Sequence, residues 1–190
     1  GHAAPPRFNA AAKVIRIDID PEEIATSSRR LDVGVVADAK LSLAQLTQAL
    51  KGKITRETFH TWRDRLRGRN SSKTQEQEET LSTNATPIHP LRLCKEIRDF
   101  MDRDAILCVD GQEILNYGRQ AIPTFVARHR LNSGAFGTMG VGMPFGIGAK
   151  AACPDKQVIV LHGDGSFGMN AMEFDTAVRL GLPILTVISL

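Results

Sequence analysis

Asp164 lies between two glycines at the point where an apolar strand is predicted to end. The predicted strand covers 157–161, and His162-Gly-Asp-Gly-Ser-Phe-Gly168 follows it. Because glycine has no Cβ, the backbone N–H groups of Gly163 and Gly165 can approach anionic oxygens closely. The Asp164 carboxylate can bind a hard cation, and Mg²⁺ shares its coordination shell with phosphates. The pattern predicts a phosphate and magnesium site at a helix start, and the alternative is a strand–turn–helix junction that binds no ligand.

A second segment, 134–148, is rich in glycine and has Met139 near its centre. Its glycines have neither Walker nor Rossmann spacing. A loop with so few side chains lets the backbone approach a flat ligand, and Met139 supplies a large, polarisable side chain. The segment therefore predicts a ligand loop over 134–140. Close helix packing is the alternative explanation for the last three glycines, which are Gly142, Gly146 and Gly148.

Apolar runs and helical periodicity alternate through the second half of the chain. Strands are predicted at 105–109, 157–161 and 184–189, and helices from about 113 and over about 170–180. Alternating strands and helices predict an α/β fold, a parallel sheet with helices on both faces. Ligands bind such sheets at the carboxyl ends of the strands, where Asp164 is predicted to lie.

The first fifty residues have a similar pattern on a smaller scale. A strand at 13–20 ends in Asp18 and Asp20, and Pro21 and two acids begin a helical turn. A second strand at 33–37 precedes a helix. We interpret 1–50 as the C-terminal part of a second, Rossmann-like α/β domain, because it is too small to bury a sheet alone.

The intervening segment, 51–86, is basic and then polar. Residues 51–69 include seven Lys and Arg but only two acidic residues. We interpret 51–86 as a linker with a basic amphipathic helix whose apolar face, made of Phe59, Trp62 and Leu66, points inward. Nucleic-acid binding by these cations is the weakest alternative, and it would require steeply salt-dependent binding. The remaining segment, 87–190, is then a separate α/β domain that contains both glycine motifs.

Composition excludes several classes of protein. The 190 residues include 24 Lys and Arg against 21 Asp and Glu, a net charge of +3, and 42% are hydrophobic. These values are typical of globular proteins and exclude disordered and collagen-like chains. No run approaches the ~20 apolar residues of a membrane helix. Three widely spaced cysteines, without a CxxC motif, argue against a disulfide framework or a cysteine zinc site. We expect a soluble cytoplasmic protein without a membrane partner.

The two glycine motifs together carry a family resemblance. Gly-Thr-Met-Gly-x-Gly-x-Pro from Gly137, with Gly-Asp-Gly about two dozen residues later, resembles the diphosphate-binding domain of thiamine diphosphate enzymes of the acetolactate synthase and 2-hydroxyacyl-CoA lyase type. The resemblance implies that Asp164 binds Mg²⁺ and that Met139 supports the bent cofactor. It further implies cofactor contacts by Gly137, through its carbonyl, and by the diphosphate turn, which comprises Gly163, Gly165 and Ser166.

The same resemblance extends to two other segments. Asp110-Gly-Gln-Glu113 matches the turn on the diphosphate side, so Gly111, Gln112 and Glu113 are further candidates. Residues 13–24 resemble the end of the family's middle domain, where acids after a strand reach a nucleotide. Asp18 and Asp20 are therefore candidates for binding ADP/CoA or FAD. A helix N-cap is the competing role for Asp20.

The resemblance also implies an activity and an assembly. We expect a carbon–carbon lyase or carboligase, closest to 2-hydroxyacyl-CoA lyase, which cleaves its substrate reversibly to an aldehyde and formyl-CoA. Acetolactate synthase and an oxalyl-CoA decarboxylase-like enzyme are the alternatives within the family, and a non-catalytic nucleotide-binding module is the alternative outside it. Active sites shared between subunits of a homodimer or homotetramer are implied.

The family's signature extends beyond this chain. An Asn ligand is expected about 25 residues after Gly165, and that stretch ends at Leu190. The catalytic glutamate of the family lies in its N-terminal domain. We therefore expect these residues to be part of a chain of ~500 residues, and the segment alone to be inactive.

Overall fold

The computed structural model describes residue 9 and residues 11–190. The chain divides into two compact units, of which the first ends at residue 66 and the second begins at residue 67. The elements that begin in the first unit are β1 (Ile15–Asp18), α1 (Pro21–Ala25), β2 (Val33–Val36), α2 (Ala39–Leu50), a 3₁₀ turn (Arg56–Phe59) and α3 (His60–Leu81). The two strands pair in parallel, with Ile15 opposite Val33 and Asp18 opposite Val36. This β–α–β arrangement agrees with the α/β pattern predicted for the first fifty residues.

The segment predicted as a linker is largely helical, since α3 runs for 22 residues. The inward apolar face predicted for it is wrong: Phe59, Trp62 and Leu66 are 53%, 55% and 45% exposed. No apolar side chain occurs between 67 and 80, so the apolar stripe covers only the first turns of α3. Leu81, at the end of the helix, is buried.

The second unit contains a four-stranded sheet in the order β4–β3–β5–β6, parallel throughout. Its further elements are α4 (Pro90–Phe100), β3 (Ile106–Asp110), α5 (Glu113–Ala121), β4 (Arg130–Leu131), a 3₁₀ turn (Gly134–Phe136), α6 (Gly142–Ala152), β5 (Val158–Gly163), α7 (Asp164–Asn170), α8 (Glu173–Arg179) and β6 (Leu185–Ser189). The helix predicted over about 170–180 is present as α8, which begins at Glu173, and a separate helix, α7, precedes it from Asp164. The glycines of α7 lower its intrinsic helix propensity, so the predicted helix was placed later in the chain, from about residue 170.

Alternate residues of the central strands face opposite cores. On one side, Leu107 and Val109 of β3 pack with buried residues of α4 and α5. On the other side, Ile106 and Cys108 pack with Met143 of α6 and with α8. The period of two places successive side chains on opposite faces of the sheet. The predicted parallel sheet with helices on both faces is therefore confirmed.

The structure also bears on the predictions made from composition. Among the described residues, no helix is both long enough and apolar enough to cross a membrane. The three cysteines are free thiols. Burial raises the pKa of Cys94 to about 11 and that of Cys108 to about 12, so both thiols are neutral near pH 7.

Candidate cofactor site

Two neighbouring strands, β3 and β5, end at the same edge of the sheet, and a helix begins directly after each. Asp110 pairs with His162 at this edge. Here the chain encloses a cavity of about 230 Å³. The predicted site residues that line it are Gly111, Gln112, Glu113, Met139, Gly163, Asp164, Gly165 and Ser166. The structure thus brings together three segments that are widely separated in sequence.

The helices that face this cavity begin without side-chain caps. Neither Gln112, at the N-cap of α5, nor Gly163, at the N-cap of α7, makes a side-chain cap hydrogen bond. The first N–H groups of a helix have no partner within it, and together they favour an anion. A Cβ at Gly165 would meet no atom within 4 Å, so the backbone there is open to a ligand. The donor set of the cavity fits a diphosphate.

The turn before α5 packs tightly against the turn before α7. Gly111 has a φ of +105°, a conformation that side chains rarely adopt. A Cβ at this position would lie 3.2 Å from both the Gly163 nitrogen and Ser166 Oγ. Ser166 Oγ itself donates to the Gly163 carbonyl at 3.0 Å. Glycine at position 111 therefore allows the two turns to pack together along one side of the cavity.

The charged side chains that line the cavity are both carboxylates, Glu113 and Asp164. A diphosphate placed beside them would experience repulsion unless a cation lay between the charges. Asp164 is the first residue of α7 and supplies a hard oxygen ligand of the kind that Mg²⁺ prefers. Among the described residues, no group of three or more His, Cys, Asp or Glu forms a metal cluster. Asp164 and oxygens from the ligand itself are thus the candidates in this cavity for holding a cation.

The glycine-rich segment divides into a loop and a helix. Met139 is 43% exposed and borders the cavity, whereas Gly137 is outside the cavity lining. Gly137 follows the 3₁₀ turn and has a φ of +65°. Its predicted carbonyl contact with the cofactor stays a prediction.

Helix α6 approaches the sheet closely through two of its glycines. A Cβ at Gly142 would lie 2.4 Å from His162 Cε1, and one at Gly146 would lie 2.6 Å from Val160 Cγ2. These distances are too short for a side chain, so close packing explains both glycines. A Cβ at Gly148 would meet no atom within 4 Å. The packing explanation is therefore wrong for Gly148.

The predicted nucleotide residues lie in the first unit and hold a local turn. Asp20 is the N-cap of α1, and its Oδ1 accepts from the Glu22 N–H at 2.8 Å. Asp18 Oδ1 accepts from the Asp20 N–H at 3.1 Å, and Asp18 Oδ2 accepts from Arg16 at 3.4 Å. The structure therefore shows the capping role of Asp20 that competed with nucleotide binding.

Two buried polar side chains behind the cavity were not predicted as site residues. Asp110 and His162, paired at the ends of β3 and β5, are 3% and 1% exposed. Among the described residues, neither ring nitrogen of His162 has a hydrogen-bond partner, and Nδ1 lies 3.8 Å from Asp110 Oδ2. Burial lowers the pKa of His162, and the Asp110 carboxylate opposes this shift. A polar residue at the end of an apolar strand was the signal that could have identified both.

Comparison with known proteins gives a family for this geometry. The family described as thiamine pyrophosphate enzyme, C-terminal TPP binding domain, matches residues 115–189. Those residues include Met139, Asp164 and the elements from α6 to β6. The match therefore covers three of the four strands of the sheet and half of the residues that line the cavity.

Curated relatives match nearly the whole chain. An oxalyl-CoA decarboxylase of Escherichia coli (strain K12) is 33% identical over 184 residues, which cover 94% of this chain and 32% of the relative. A 2-hydroxyacyl-CoA lyase of Oryza sativa subsp. japonica is 30% identical, covering 97% of this chain and 32% of the relative. A probable acetolactate synthase large subunit of Methanococcus aeolicus is 32% identical, and the match covers 95% of this chain and 32% of the relative.

The chain spans about a third of the length of these curated relatives. All three are named as enzymes, and the matched domain is the one that binds thiamine pyrophosphate in its family. The thiamine diphosphate-binding domain that the glycine motifs predicted is therefore confirmed. Residues 115–189 match the C-terminal thiamine pyrophosphate-binding domain, so this part of the chain belongs to the thiamine pyrophosphate enzyme family.

Proposed function

We propose that this chain is part of a Mg²⁺- and thiamine diphosphate-dependent carbon–carbon lyase or carboligase, and within that class a 2-hydroxyacyl-CoA lyase. One observation carries the proposal: two uncapped helix starts, Met139 and Asp164 border one cavity at the carboxyl ends of adjacent parallel strands. In open α/β sheets this edge is where ligands bind. The pair of carboxylates in the cavity supports the need for a divalent cation beside the diphosphate.

Each part of the cavity has a role in this proposal. Asp164 binds the cation, and the N–H groups of Gly165 and Ser166 donate to diphosphate oxygens. The turn at Gly111 lies on the opposite side of the diphosphate. Met139 supports the cofactor in a bent shape, and the Gly137 carbonyl accepts from its amino group. Bound thiamine diphosphate supplies the nucleophilic carbon and the electron sink for breaking or forming a carbon–carbon bond.

The choice of a 2-hydroxyacyl-CoA substrate is the finer part of the proposal. Oxalyl-CoA decarboxylase and 2-hydroxyacyl-CoA lyase, two of the relatives described above, carry an acyl-CoA in their names, which supports a CoA thioester as substrate. Cleavage of such a substrate would yield an aldehyde and formyl-CoA. An oxalyl-CoA decarboxylase is the second candidate, favoured by the relative that is 33% identical. An acetolactate synthase, favoured by the relative that is 32% identical, would instead act on pyruvate and carry FAD.

The remaining proposals concern the whole protein. We propose that Asp18, with Asp20, contacts ADP/CoA or FAD in the first unit. We also propose a homodimer or homotetramer whose active sites are shared between subunits, and a cytoplasmic location. The family resemblance supports these proposals.

A direct assay of the full-length protein tests the proposed function. We expect calorimetry to detect thiamine diphosphate binding when Mg²⁺ is present and to lose it after chelation. We then expect formyl-CoA and an aldehyde from a 2-hydroxyacyl-CoA, measured by liquid chromatography, with oxalyl-CoA and pyruvate as parallel substrates. Release of CO₂ from oxalyl-CoA alone would favour the decarboxylase. Absence of metal-dependent cofactor binding would leave the non-catalytic nucleotide-binding module as the explanation.

The role proposed for Met139 gives a separate prediction. In the full-length protein, Met139→Ala should leave the Kd of Mg²⁺–thiamine diphosphate within about threefold of wild type, because the diphosphate contacts remain. Exchange of the cofactor's thiazolium C2 proton with D₂O should slow at least about tenfold, since the reacting groups lose their alignment. Nuclear magnetic resonance of quenched samples measures this rate. Met172→Ala is the control, because Met172 is 83% exposed and outside the cavity lining. An unchanged exchange rate in Met139→Ala would contradict the role.

A further inference from the structure

The loop that carries Met139 connects two regular elements and contains no helix or strand itself. It follows the 3₁₀ turn that ends at Phe136 and precedes α6, which begins at Gly142. Met139 itself is partly exposed. A side chain that must support a ligand from such a loop requires a backbone fixed by neighbouring elements.

On one side, the buried Asp110 fixes the end of this loop. Its Oδ2 accepts from the Gly142 N–H at 2.8 Å, and its Oδ1 accepts from the Gly111 N–H at 2.8 Å. A single carboxylate therefore bonds both the turn before α5 and the start of α6. Hydrogen bonds to an ionised acceptor are stronger than those between neutral groups.

On the other side, Asn170 at the end of α7 fixes the middle of the loop. Its Nδ2 donates to the carbonyl of Gly140, the residue after Met139. The fit is close: a Cβ at Gly140 would lie 3.0 Å from both Asn170 Nδ2 and Met169 Cβ. Gly140 also has a φ of +87°, which favours glycine. Helix α7 thus carries Asp164 at its first residue and holds the Met139 loop from its last.

We propose that Asp110 and Asn170 form a loop clamp that positions Met139 relative to the Gly111 turn and Asp164. Neither residue lines the cavity, so both act through the backbone of the loop. The inference rests on the proposed function, because it assigns Met139 a ligand to support. It extends that function by adding two positioning residues to the cofactor-contacting ones.

Asn170→Asp tests the clamp in the full-length protein. The exchange keeps the shape of the side chain but replaces the N–H donor with an oxygen that repels the Gly140 carbonyl. Asn170 is exposed, so its replacement leaves the core intact. Asn70→Ala is the control, since Asn70 is an exposed residue of α3.

Two measurements read out the result. In the cofactor-free protein, hydrogen–deuterium exchange of amides 139–142, followed by mass spectrometry, should be about fivefold faster in Asn170→Asp, the factor expected for one lost hydrogen bond. With Mg²⁺ and thiamine diphosphate, thiazolium C2 proton exchange should slow about tenfold. The cofactor Kd should stay within about threefold, because the diphosphate contacts are intact.

A second variant, Asp110→Asn, tests the other half of the clamp. An amide can accept from only one of the two N–H groups and presents a donor to the other. The same pattern of faster amide exchange and slower C2 exchange is expected. Wild-type exchange rates in both variants would overturn the clamp. If the wild-type protein binds no thiamine diphosphate, the proposed function fails, and amide exchange in the cofactor-free protein still decides whether Asn170 holds the loop.

Discussion

Replacing Asp164 with asparagine in the full-length protein is expected to lower its affinity for Mg²⁺–thiamine diphosphate at least about a hundredfold. Loss of a residue that only supports a metal ligand costs ten- to a hundredfold in affinity, and Asp164 is proposed as a ligand itself. The change removes a negative charge from a cavity in which Glu113 is the other carboxylate, so the cation is held less firmly. Calorimetric titration at fixed Mg²⁺ measures the effect.

Asp175→Asn is the matched control for this experiment. Asp175 also lies in the first turn of a short helix, α8, and its side chain is 76% exposed in an ion pair with Arg179. Its replacement removes the same charge from an equivalent position outside the cavity lining. Cofactor affinity should stay at the wild-type value. If Asp164→Asn binds as tightly as Asp175→Asn, Asp164 is not a metal ligand.

Adding a methyl group at Gly142 is expected to destabilise the fold by about 1–3 kcal/mol, the usual cost of overpacking a core. The new Cβ would lie 2.4 Å from His162 Cε1 and 2.9 Å from Asp110 Cβ. Both neighbours are buried at the ends of central strands, so neither can move without shifting the sheet. Differential scanning calorimetry of the cofactor-free protein measures the loss in melting temperature.

The same helix provides the control. Gly148→Ala adds a methyl group where no atom lies within 4 Å, in the interior of α6. Alanine is a better helix former than glycine, so this variant should gain about 0.5–1 kcal/mol. Opposite signs for the two substitutions are the expected result. A destabilisation of equal size at both positions would mean that close packing does not explain Gly142.

The sheet and the cavity wall were predictable because their signals are local. Apolar runs of strand length identified β3, β5 and β6, and glycines around a single carboxylate identified the turn at Asp164. Gly111 and Asp164 were then expected to lie close together, because neighbouring parallel strands end at the same edge of the sheet.

What was missed depends on contacts between distant residues. The contact of Asn170 with the Met139 loop was missed, because its hydrogen bond to Gly140 joins residues 30 positions apart. From the sequence, Asn170 was predicted only as the start of a helix. A helix start was expected near Asp164, but the helix was placed from about residue 170 because the glycines of α7 have low helix propensity, which tertiary packing outweighs. Trp62 was predicted to face inward from its spacing alone, and spacing does not reveal whether an element exists to cover it.

The uncapped starts of α5 and α7 link the stability of the domain to its ligand. A side-chain cap contributes about 1 kcal/mol to a helix, and an anion bound at the helix start can supply part of that stabilisation. By mass action, a ligand at a hundred times its Kd stabilises the folded state by about 2.7 kcal/mol, and this value already includes its contacts with the helix starts. Under the proposed function, cofactor supply would therefore raise the folded fraction of this domain, and a shortage of thiamine diphosphate would expose it to unfolding and proteolysis.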